Sequence, residues 1–462
     1  MFSKFKSVLL VSAALVMFAA AGARYQVKLT LDKPSGVYQK GDTVKIGIDY
    51  RVNGKISNGP VNISVTDQAG VAKKQSFSEA PKEFTFAPGK VSGVWRISVV
   101  PVGDNNKEVM MGQGKRRRPM AFSIGFAIDP YEIRPGSTEP EDFQKFWDDA
   151  KAELAKIPLK ELERKEIKVS NDMLKNAPNY FAFRIPPEMP SPAALEGKFK
   201  CWDVKVACVD GVPVSGYLTM PANAKPKSLP VIVSFLGAPG GSARKAFADD
   251  VIRFDVNPHG FENGHPREYY KKQHSTVTRG YMFRNAGNRN KCYFRGMYLR
   301  VVRALEYVKS LPEYDGKTLI VVGNSQGGGQ SLVAGGLDPD VKLLYASVPA
   351  MCDHGGGLVN RRPGWPRLLS VRNGKPTRPE VAAAAPYFDA AFFARRIKAE
   401  AYLTVGLVDE VCAPTSVFSA YNNIPGNKHI TILPGHGHSR TFSLKFNARL
   451  LEVINAVKQA NR

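Results

Sequence analysis

The stretch that most constrains this chain is KTLIVVGNSQGGG, at residues 317–329. The apolar, β-branched run at 319–322 has the length of a buried strand, and a helix-compatible segment follows to residue 337. Between them lies the pentapeptide GNSQG, centred on Ser325. A sharp turn from strand to helix would expose this serine at the sheet edge, because glycine lacks the Cβ atom that clashes there. The pattern predicts that Ser325 is a nucleophile, although 41 glycines in 462 residues also allow it to arise by chance.

A serine hydroxyl needs a base to become a nucleophile, and the base needs an acid that orients it. His438 lies in a loop, LPGHGHS at 433–439, after the last predicted strand, and His436 in the same loop is its rival. Asp409 follows the predicted strand at 401–405, and Asp353 after the preceding strand is the alternative acid. We favour Ser325, Asp409 and His438, whose order along the chain is that of α/β-hydrolases.

Apolar runs of strand length alternate with helical segments through residues 129–462. The predicted strands are 202–208, 212–220, 229–235, 251–256, 319–322, 341–348, 401–405 and 429–433, and amphipathic helices are predicted at 298–309 and 442–457. A capping box at Thr138 and Glu141 predicts the start of a further helix with an aromatic stripe. The alternation predicts an α/β domain whose mostly parallel sheet carries helices on both faces, with ligands at the carboxyl ends of the strands.

The N-terminal part alternates apolar and polar residues with a period of two. Strands are predicted at 27–31, 43–50, 61–66, 83–86, 94–100 and 121–127, separated by turn residues. This spacing predicts an all-β, immunoglobulin-like sandwich as a separate domain over 24–128. Tyr38 and Trp95 are candidates for stacking on a sugar, but Trp95 lies in mid-strand, which favours core packing.

Residues 1–23 have the pattern of a signal peptide. Lys4 and Lys6 precede an apolar stretch at 8–20, and AGA at 21–23 offers a cleavage site. No later run approaches the ~20 apolar residues of a membrane span. We therefore expect a periplasmic or secreted protein with no membrane span.

The formal charge of +24 invites a nucleic-acid partner, but the basic residues are scattered. The dense run KRRR at 115–118 lacks interleaved aromatics, and no nucleic-acid-binding motif accompanies it, so we expect no nucleic-acid partner. Five cysteines without CxxC spacing do not indicate a zinc site, although Cys201 and Cys208 could pair across a hairpin. The HGH sequence at 436–438 lacks a third ligand at suggestive spacing, so no metal and no cofactor are predicted.

From about residue 140 to its end the chain resembles the acetyl xylan esterase / cephalosporin-C deacetylase family of carbohydrate esterases. The matching motifs are PEDF at 140–143 with Phe146 and Trp147, YFRG at 293–296, GNSQGGG at 323–329, GLVD at 406–409 with VCAP at 411–414, and GH at 437–438. The chain departs from the family at LGA (236–238), where His-Gly-Tyr is usual, at NPH (257–259), where Arg-Gly-Gln is usual, and at Ser439 after Gly-His.

The resemblance implies an α/β-hydrolase fold and roles for five residues. Ser325 would be the nucleophile, Asp409 the acid and His438 the base, while the backbone amides of Gln326 and Ala238 would form the oxyanion hole. The implied substrate is an acetylated carbohydrate such as xylan, cleaved without a cofactor, and a homo-oligomer is compatible with the resemblance. An esterase for another acyl group, a peptidase, and a non-catalytic carbohydrate-binding protein on a hydrolase scaffold are the competing interpretations.

Overall fold

The computed structural model describes residues 24–103, 105–170, 173, 197–439, 441 and 443–460. The predicted signal peptide at 1–23 lies outside the described residues. Within the described part of the chain, no helix is long and apolar enough to cross a membrane.

The residues that alternate with a period of two up to residue 128 form short strands. These are β1 (Tyr25–Leu31), β2 (Val37–Tyr38), β3 (Val44–Val52), β4 (Lys55–Ile56), β5 (Val61–Thr66), β6 (Ala72–Phe77), β7 (Glu83–Phe86), β8 (Gly93–Pro101), β9 (Met110–Met111), β10 (Arg118–Pro119) and β11 (Phe122–Ile128). One sheet has the order β1-β3-β4 with β7 paired to β3, and the other has the order β2-β11-β8-β5-β6. β9 and β10 pair separately.

The two sheets enclose one apolar core and so form the predicted sandwich. Ile46 and Tyr50 of the first sheet pack in the same cluster as Ile63, Trp95 and Phe126 of the second. The Trp95 and Phe126 rings stack with centroids 6.0 Å apart. Trp95 is therefore a core residue, as its mid-strand position favoured.

Two features of the sandwich differ from the sequence-based interpretation. Tyr38 is only 1% exposed, so its ring is not accessible for stacking on a sugar. Five strands, β2, β4, β6, β9 and β10, were not predicted, and the longest of them is β6. Its sequence AKKQSF is almost wholly exposed at the edge of its sheet, so it needs no apolar alternation.

The remaining strands and the helices follow in α/β order. The strands are β12 (Glu161–Glu166), β13 (Phe199–Val206), β14 (Val214–Pro221), β15 (Leu229–Phe235), β16 (Ile252–Asn257), β17 (Tyr314–Asn324), β18 (Val341–Ser347), β19 (Val371–Arg372), β20 (Lys375–Pro376), β21 (Glu400–Gly406) and β22 (Lys428–Leu433). The helices are α1 (Phe143–Ala155), α2 (Arg267–Ser275), α3 (Tyr293–Lys309), α4 (Gln326–Leu337), α5 (Pro379–Ala384), α6 (Ala390–Phe393), α7 (Pro414–Asn423) and α8 (Leu444–Ala460).

Nine of these strands form one sheet in the order β12-β13-β14-β16-β15-β17-β18-β21-β22. The pairs from β16 to β22 are parallel, whereas β12, β13 and β14 pair antiparallel at one end. Helices cover both faces, since Val231 of β15 packs in the cluster of α3 and α4 while its neighbour Ile232 packs against Phe446 of α8. The α/β-hydrolase fold is confirmed.

Helix α1 begins later than its predicted capping box. It starts at Phe143 after Asp142, whose side chain makes no capping hydrogen bond, so the Thr138–Glu141 box was wrong. The residue before a proline disfavours helical backbone, and here Glu139 precedes Pro140. Glu139 instead forms ion pairs with the guanidinium groups of arginines 395 and 396. The predicted aromatic stripe of α1 is buried as expected.

The five cysteines are free and buried. Cys201 on β13 faces Thr219 of β14, whereas Cys208 lies beyond the end of the strand. The hairpin register therefore does not bring these two thiols together, and the suggested disulfide is absent.

The stability of the α/β part should depend strongly on Trp147. Its side chain is fully buried, and its indole N–H donates to the Tyr387 carbonyl oxygen at 3.0 Å. We expect Trp147→Ala to lower the free energy of unfolding by about 3–5 kcal/mol, because truncating a buried aromatic leaves a cavity. Denaturant unfolding measures this. Phe283→Ala, at a side chain that is 50% exposed, is the matched control and should shift the midpoint far less.

Candidate active site

The chain turns sharply from β17 into α4 at Ser325. Ser325 has φ 58° and ψ −121°, a strained conformation for a residue with a side chain. Its amide donates to the Ser347 carbonyl at 2.9 Å, and its own carbonyl accepts from the amides of Gly329 at 3.0 Å and Ala350 at 2.9 Å. These bonds to the helix and to the residues after β18 hold the strained turn in place.

The flanking glycines are required by close backbone packing. A Cβ atom at Gly323 would overlap the Gly327 carbonyl, and one at Gly327 would overlap the Phe235 carbonyl at the end of β15. Backbone cannot yield as a flexible side chain can, so larger residues would push the turn away from the sheet. The glycine spacing in the sequence therefore reflects this contact between the turn and the neighbouring strand.

Three predicted side chains meet at this turn. His438 Nε2 lies 2.9 Å from Ser325 Oγ, and His438 Nδ1 lies 2.8 Å from Asp409 Oδ2. Because a carboxylate accepts, Nδ1 donates and Nε2 is left to accept the serine proton. The Asp409 side chain is almost fully buried, while that of His438 is 22% exposed.

The Asp409 carboxylate is held in place by its own loop. Oδ1 accepts hydrogen bonds from the amides of Val411 at 2.8 Å and Cys412 at 3.0 Å, which leaves Oδ2 to face the imidazole. The loops of acid and base are also joined to each other, since the Val408 amide donates to the His436 carbonyl at 3.1 Å. The carboxylate and the imidazole are thus positioned by backbone contacts.

The alternative acid and base lie elsewhere. Asp353 accepts from the Gly136 amide at 2.6 Å and pairs with Arg361 at 3.0 Å, and burial raises its pKa to about 6. The Nδ1 atom of His436 is buried without a hydrogen-bond partner among the described residues. Within the described residues, neither side chain forms a hydrogen bond with Ser325, whose Oγ lies against His438.

The two residues predicted to supply oxyanion amides both belong to segments at the turn. Gln326 is the first residue of α4, where backbone N–H groups have no partner within the helix. Ala238 follows Gly237, and a Cβ atom at Gly237 would lie 3.2 Å from the Asn324 carbonyl oxygen and 3.6 Å from Ser325 Cβ. The loop after β15 therefore passes directly beside the serine.

Sequence reasoning treated His259 only as a departure from a family motif, but its imidazole fastens this loop. Nε2 donates to the Pro239 carbonyl at 2.8 Å, so Nδ1 is the acceptor for the Tyr293 hydroxyl, also at 2.8 Å. Burial, together with the charge of Arg300, lowers the pKa of His259 to about 3, which keeps the ring neutral. Tyr281 was also missed, and its hydroxyl hydrogen-bonds the side chain of Gln326.

Cys412 was not predicted to lie at the site. Atoms of Asp409, Cys412 and His438 that could ligate a metal lie within 4.8 Å of one another, so the spacing argument missed a third ligand. Burial raises the pKa of the Cys412 thiol well above its ordinary value, which disfavours the thiolate that a metal prefers. A metal ion between these ligands would also replace the direct hydrogen bond from His438 Nδ1 to Asp409 Oδ2. The side chains therefore suit a hydrogen-bonded relay better than a metal.

The sandwich touches the loops of both the acid and the base. The Gly125 amide of β11 donates to the Pro434 carbonyl in the histidine loop at 2.8 Å. A Cβ atom at Gly125 would lie 2.5 Å from the carbonyl oxygen of Leu407 in the aspartate loop. Beside them, the Arg96 guanidinium of β8 pairs with Glu410. One face of the sandwich therefore packs against the histidine and aspartate loops.

A serine on a sharp strand-to-helix turn at the carboxyl edge of a mostly parallel sheet, with a carboxylate and an imidazole on later loops, is the arrangement of the α/β-hydrolase class. The acetyl xylan esterase family model matches residues 188–452, more than half of the chain, and the chain belongs to this family. It is therefore a carboxylic ester hydrolase.

Individual relatives agree with this assignment. The chain is 27% identical over 431 residues to the acetyl esterase Axe7A of Xylanibacter ruminicola, covering 90% of this chain and 87% of that protein. Acetyl xylan esterase 1 from a Thermoanaerobacterium species has the same fold, with TM-score 0.52 and 22% identity over 71% of this chain and 97% of that one. An acetyl xylan esterase from a Paenibacillus species gives TM-score 0.51 and 26% identity over 71% and 98%.

The contact at Gly125 generates a prediction about turnover. Gly125→Val should lower kcat for 4-nitrophenyl acetate by about 10²-fold, because displacing a catalytic group by about 1 Å has this effect. Gly103→Val is the matched control, since a Cβ atom there meets neighbours only at 3.6 Å and beyond. Circular dichroism checks that each variant is folded. If Gly125→Val does not fold, the smaller substitution Gly125→Ala is tested in its place. Wild-type turnover in a folded Gly125 variant would show that this contact does not position the histidine and aspartate loops.

Proposed function

We propose that this protein removes acetyl groups from acetylated xylan or related oligosaccharides through a Ser325–His438–Asp409 triad and an acetyl-enzyme intermediate. The observation that supports the proposal most is the unbroken chain of hydrogen bonds from Ser325 Oγ through the imidazole to Asp409. Family membership and the names of the relatives support the acetyl group and the carbohydrate.

In the first half-reaction Ser325 Oγ attacks the acetyl carbonyl carbon while His438 Nε2 takes the hydroxyl proton. The resulting imidazolium is stabilised by the Asp409 carboxylate. Collapse of the tetrahedral intermediate breaks the bond to the sugar oxygen, which receives the proton from Nε2. Water then attacks the acetyl carbonyl carbon while His438 Nε2 takes its proton. The bond between that carbon and Ser325 Oγ breaks, Oγ regains a proton from Nε2, and acetate leaves.

The developing oxyanion would be bound by the amides of Gln326 and Ala238. The start of α4 adds the positive end of its helix dipole in the same direction. Each such donor is worth about 3 kcal/mol in comparable sites. His259 contributes indirectly, because it holds the Pro239 carbonyl and thereby the loop that carries Ala238.

The nucleophile is tested by Ser325→Ala. We expect kcat on 4-nitrophenyl acetate to fall by about 10⁶, because the triad acts as a unit. Ser310→Ala, at the exposed end of α3, is the matched control and should leave turnover unchanged. The same assay with acetate, butyrate and longer esters should show the highest kcat/KM for acetate. Activity that survives in Ser325→Ala contradicts the mechanism, and a preference for long chains contradicts the acetyl specificity.

The acid is tested separately by Asp409→Asn. An amide cannot hold the imidazole in the required tautomer, so we expect a loss of about 10⁴ in kcat with the fold retained. Asp340→Asn makes the same chemical change at a side chain that is 63% exposed and pairs with Lys309. Steady-state kinetics distinguishes the two, and equal rates for both variants would remove Asp409 from the triad.

We also propose that residues 1–23 direct export and that residues 24–128 and 129–462 are two domains. The basic–apolar–small pattern of the first segment supports export to the periplasm or medium. Mass spectrometry of protein from the native host should find an N-terminus near Arg24, and an intact Met1 would contradict export.

A further inference from the structure

A small cleft lies between the sandwich and the loop that carries Asp409. It is lined by the turn after β5, by the β8 segment around Arg96, by Arg362 and by residues 407–415. Its cavity volume is about 50 Å³, which is room for a carboxylate group and not for a sugar ring. Asp409 itself lines the cleft, so the cleft lies one imidazole ring and two hydrogen bonds from Ser325 Oγ.

Charged groups of both signs line the cleft, namely Arg96 and Arg362 together with Asp67, Asp409 and Glu410. Arg96 pairs with Glu410, and the Arg367 guanidinium donates to the Glu410 carbonyl at 2.9 Å. The half-buried Arg362 guanidinium has no hydrogen-bond or ion-pair partner among the described residues. Burial and the charge of Arg367 lower the pKa of Arg362, and the carboxylates of Glu410 and Asp409 offset this only in part. An anion bound there would offset both effects.

Three residues that line the cleft each have a buried polar side-chain atom. Arg96 Nε and Thr415 Oγ1 have no hydrogen-bond partner among the described residues, and neither has the acceptor Gln68 Oε1. Both Arg96 and Thr415 can donate, as can the Arg362 guanidinium. The remaining acid at the cleft, Asp67, already accepts from the amides of its own turn. Unpaired buried donors of this kind require a ligand or water.

We propose that this cleft binds the carboxylate of a uronic-acid substituent on the acetylated polysaccharide, with Arg362 as its principal partner. A planar guanidinium forms paired hydrogen bonds with a carboxylate. The sugar ring remains outside, consistent with the small volume of the cleft.

The inference rests on the proposed function and specifies which polysaccharide the enzyme prefers. The exposed Glu410 and the buried Asp409 are consecutive on one loop, so the cleft and the imidazole of His438 are adjacent. A chain whose acetyl group reaches Ser325 could therefore place the acid side group of a nearby sugar in the cleft. The net charge of +24 would attract such an acidic chain over a longer range.

The first test compares two acetylated xylo-oligosaccharides that differ only in a glucuronic-acid branch. We expect Arg362→Gln to lower the ratio of kcat/KM, acidic over neutral, by about ten-fold, because a charge-assisted hydrogen bond is lost. Arg51→Gln removes the same charge from the other sheet, where Arg51 pairs with Asp49, and should preserve the ratio. An unchanged ratio in Arg362→Gln, or an equal fall in Arg51→Gln, overturns the proposal.

The second test measures binding without turnover. Calorimetric titration of Ser325→Ala should show tighter binding of the acidic oligosaccharide than of the neutral one, and Arg362→Gln in that background should remove the difference. Sodium acetate and inorganic phosphate are titrated in parallel. If they bind as tightly as the acidic oligosaccharide, the cleft is a small-anion site and the uronic-acid assignment is wrong. If the wild type cleaves 4-nitrophenyl acetate but neither oligosaccharide, the proposed function fails, and this titration still decides the cleft.

Discussion

The active-site architecture depends on the close approach of the Ser325 turn to the neighbouring strand β15. Gly327 lies against the Phe235 carbonyl, and Gly323 lies against Gly327, with no room for a Cβ atom at either position. This packing fixes a positive φ at Ser325 that the residue would not adopt alone. The hydroxyl is thereby held beside His438, and the start of α4 is directed at the same point. The strain is supported by the whole sheet, because three backbone hydrogen bonds of Ser325 connect it to α4, to β18 and to the residue after Pro349.

The sandwich shares an apolar core with the α/β part and contacts the loops of the candidate active site. Val94 and Ala127 belong to the same apolar cluster as the α/β core, and Gly125 contacts segments from both the acid and the base loop. A separate carbohydrate-binding module needs exposed aromatic side chains, whereas Tyr38 and Trp95 are buried. The contacts favour a supporting function for the face of the sandwich that meets these loops. They also create the cleft in which Arg362 remains unpaired among the described residues.

Three charged groups, Asp353, Asp409 and Arg362, are wholly or partly buried, and they differ in the partners that they have in the structure. Asp353 is deeply buried but is matched by Arg361 and a backbone amide, which marks it as structural. Asp409 is equally buried but faces an imidazole that hydrogen-bonds Ser325. Arg362 lacks such a match among the described residues, and a missing counter-ion in a cleft is a stronger indication of a ligand than positive charge on an open surface. Scattered basic residues on the surface carry no comparable information.

The sequence alone determined the strand–serine–helix turn, the parallel strands and the order of Ser325, Asp409 and His438. The turn and the strands are local patterns of glycine spacing and apolar period, and the order of the three residues follows from the strands that they come after. It could not choose between His438 and His436, or between Asp409 and Asp353, by geometry, because loop conformation depends on distant partners. It also missed the exposed edge strand β6, the function of His259 and the approach of Cys412. Only the tertiary structure decided these features, because they depend on contacts between side chains that are far apart in the chain. Such contacts leave no local pattern in the sequence.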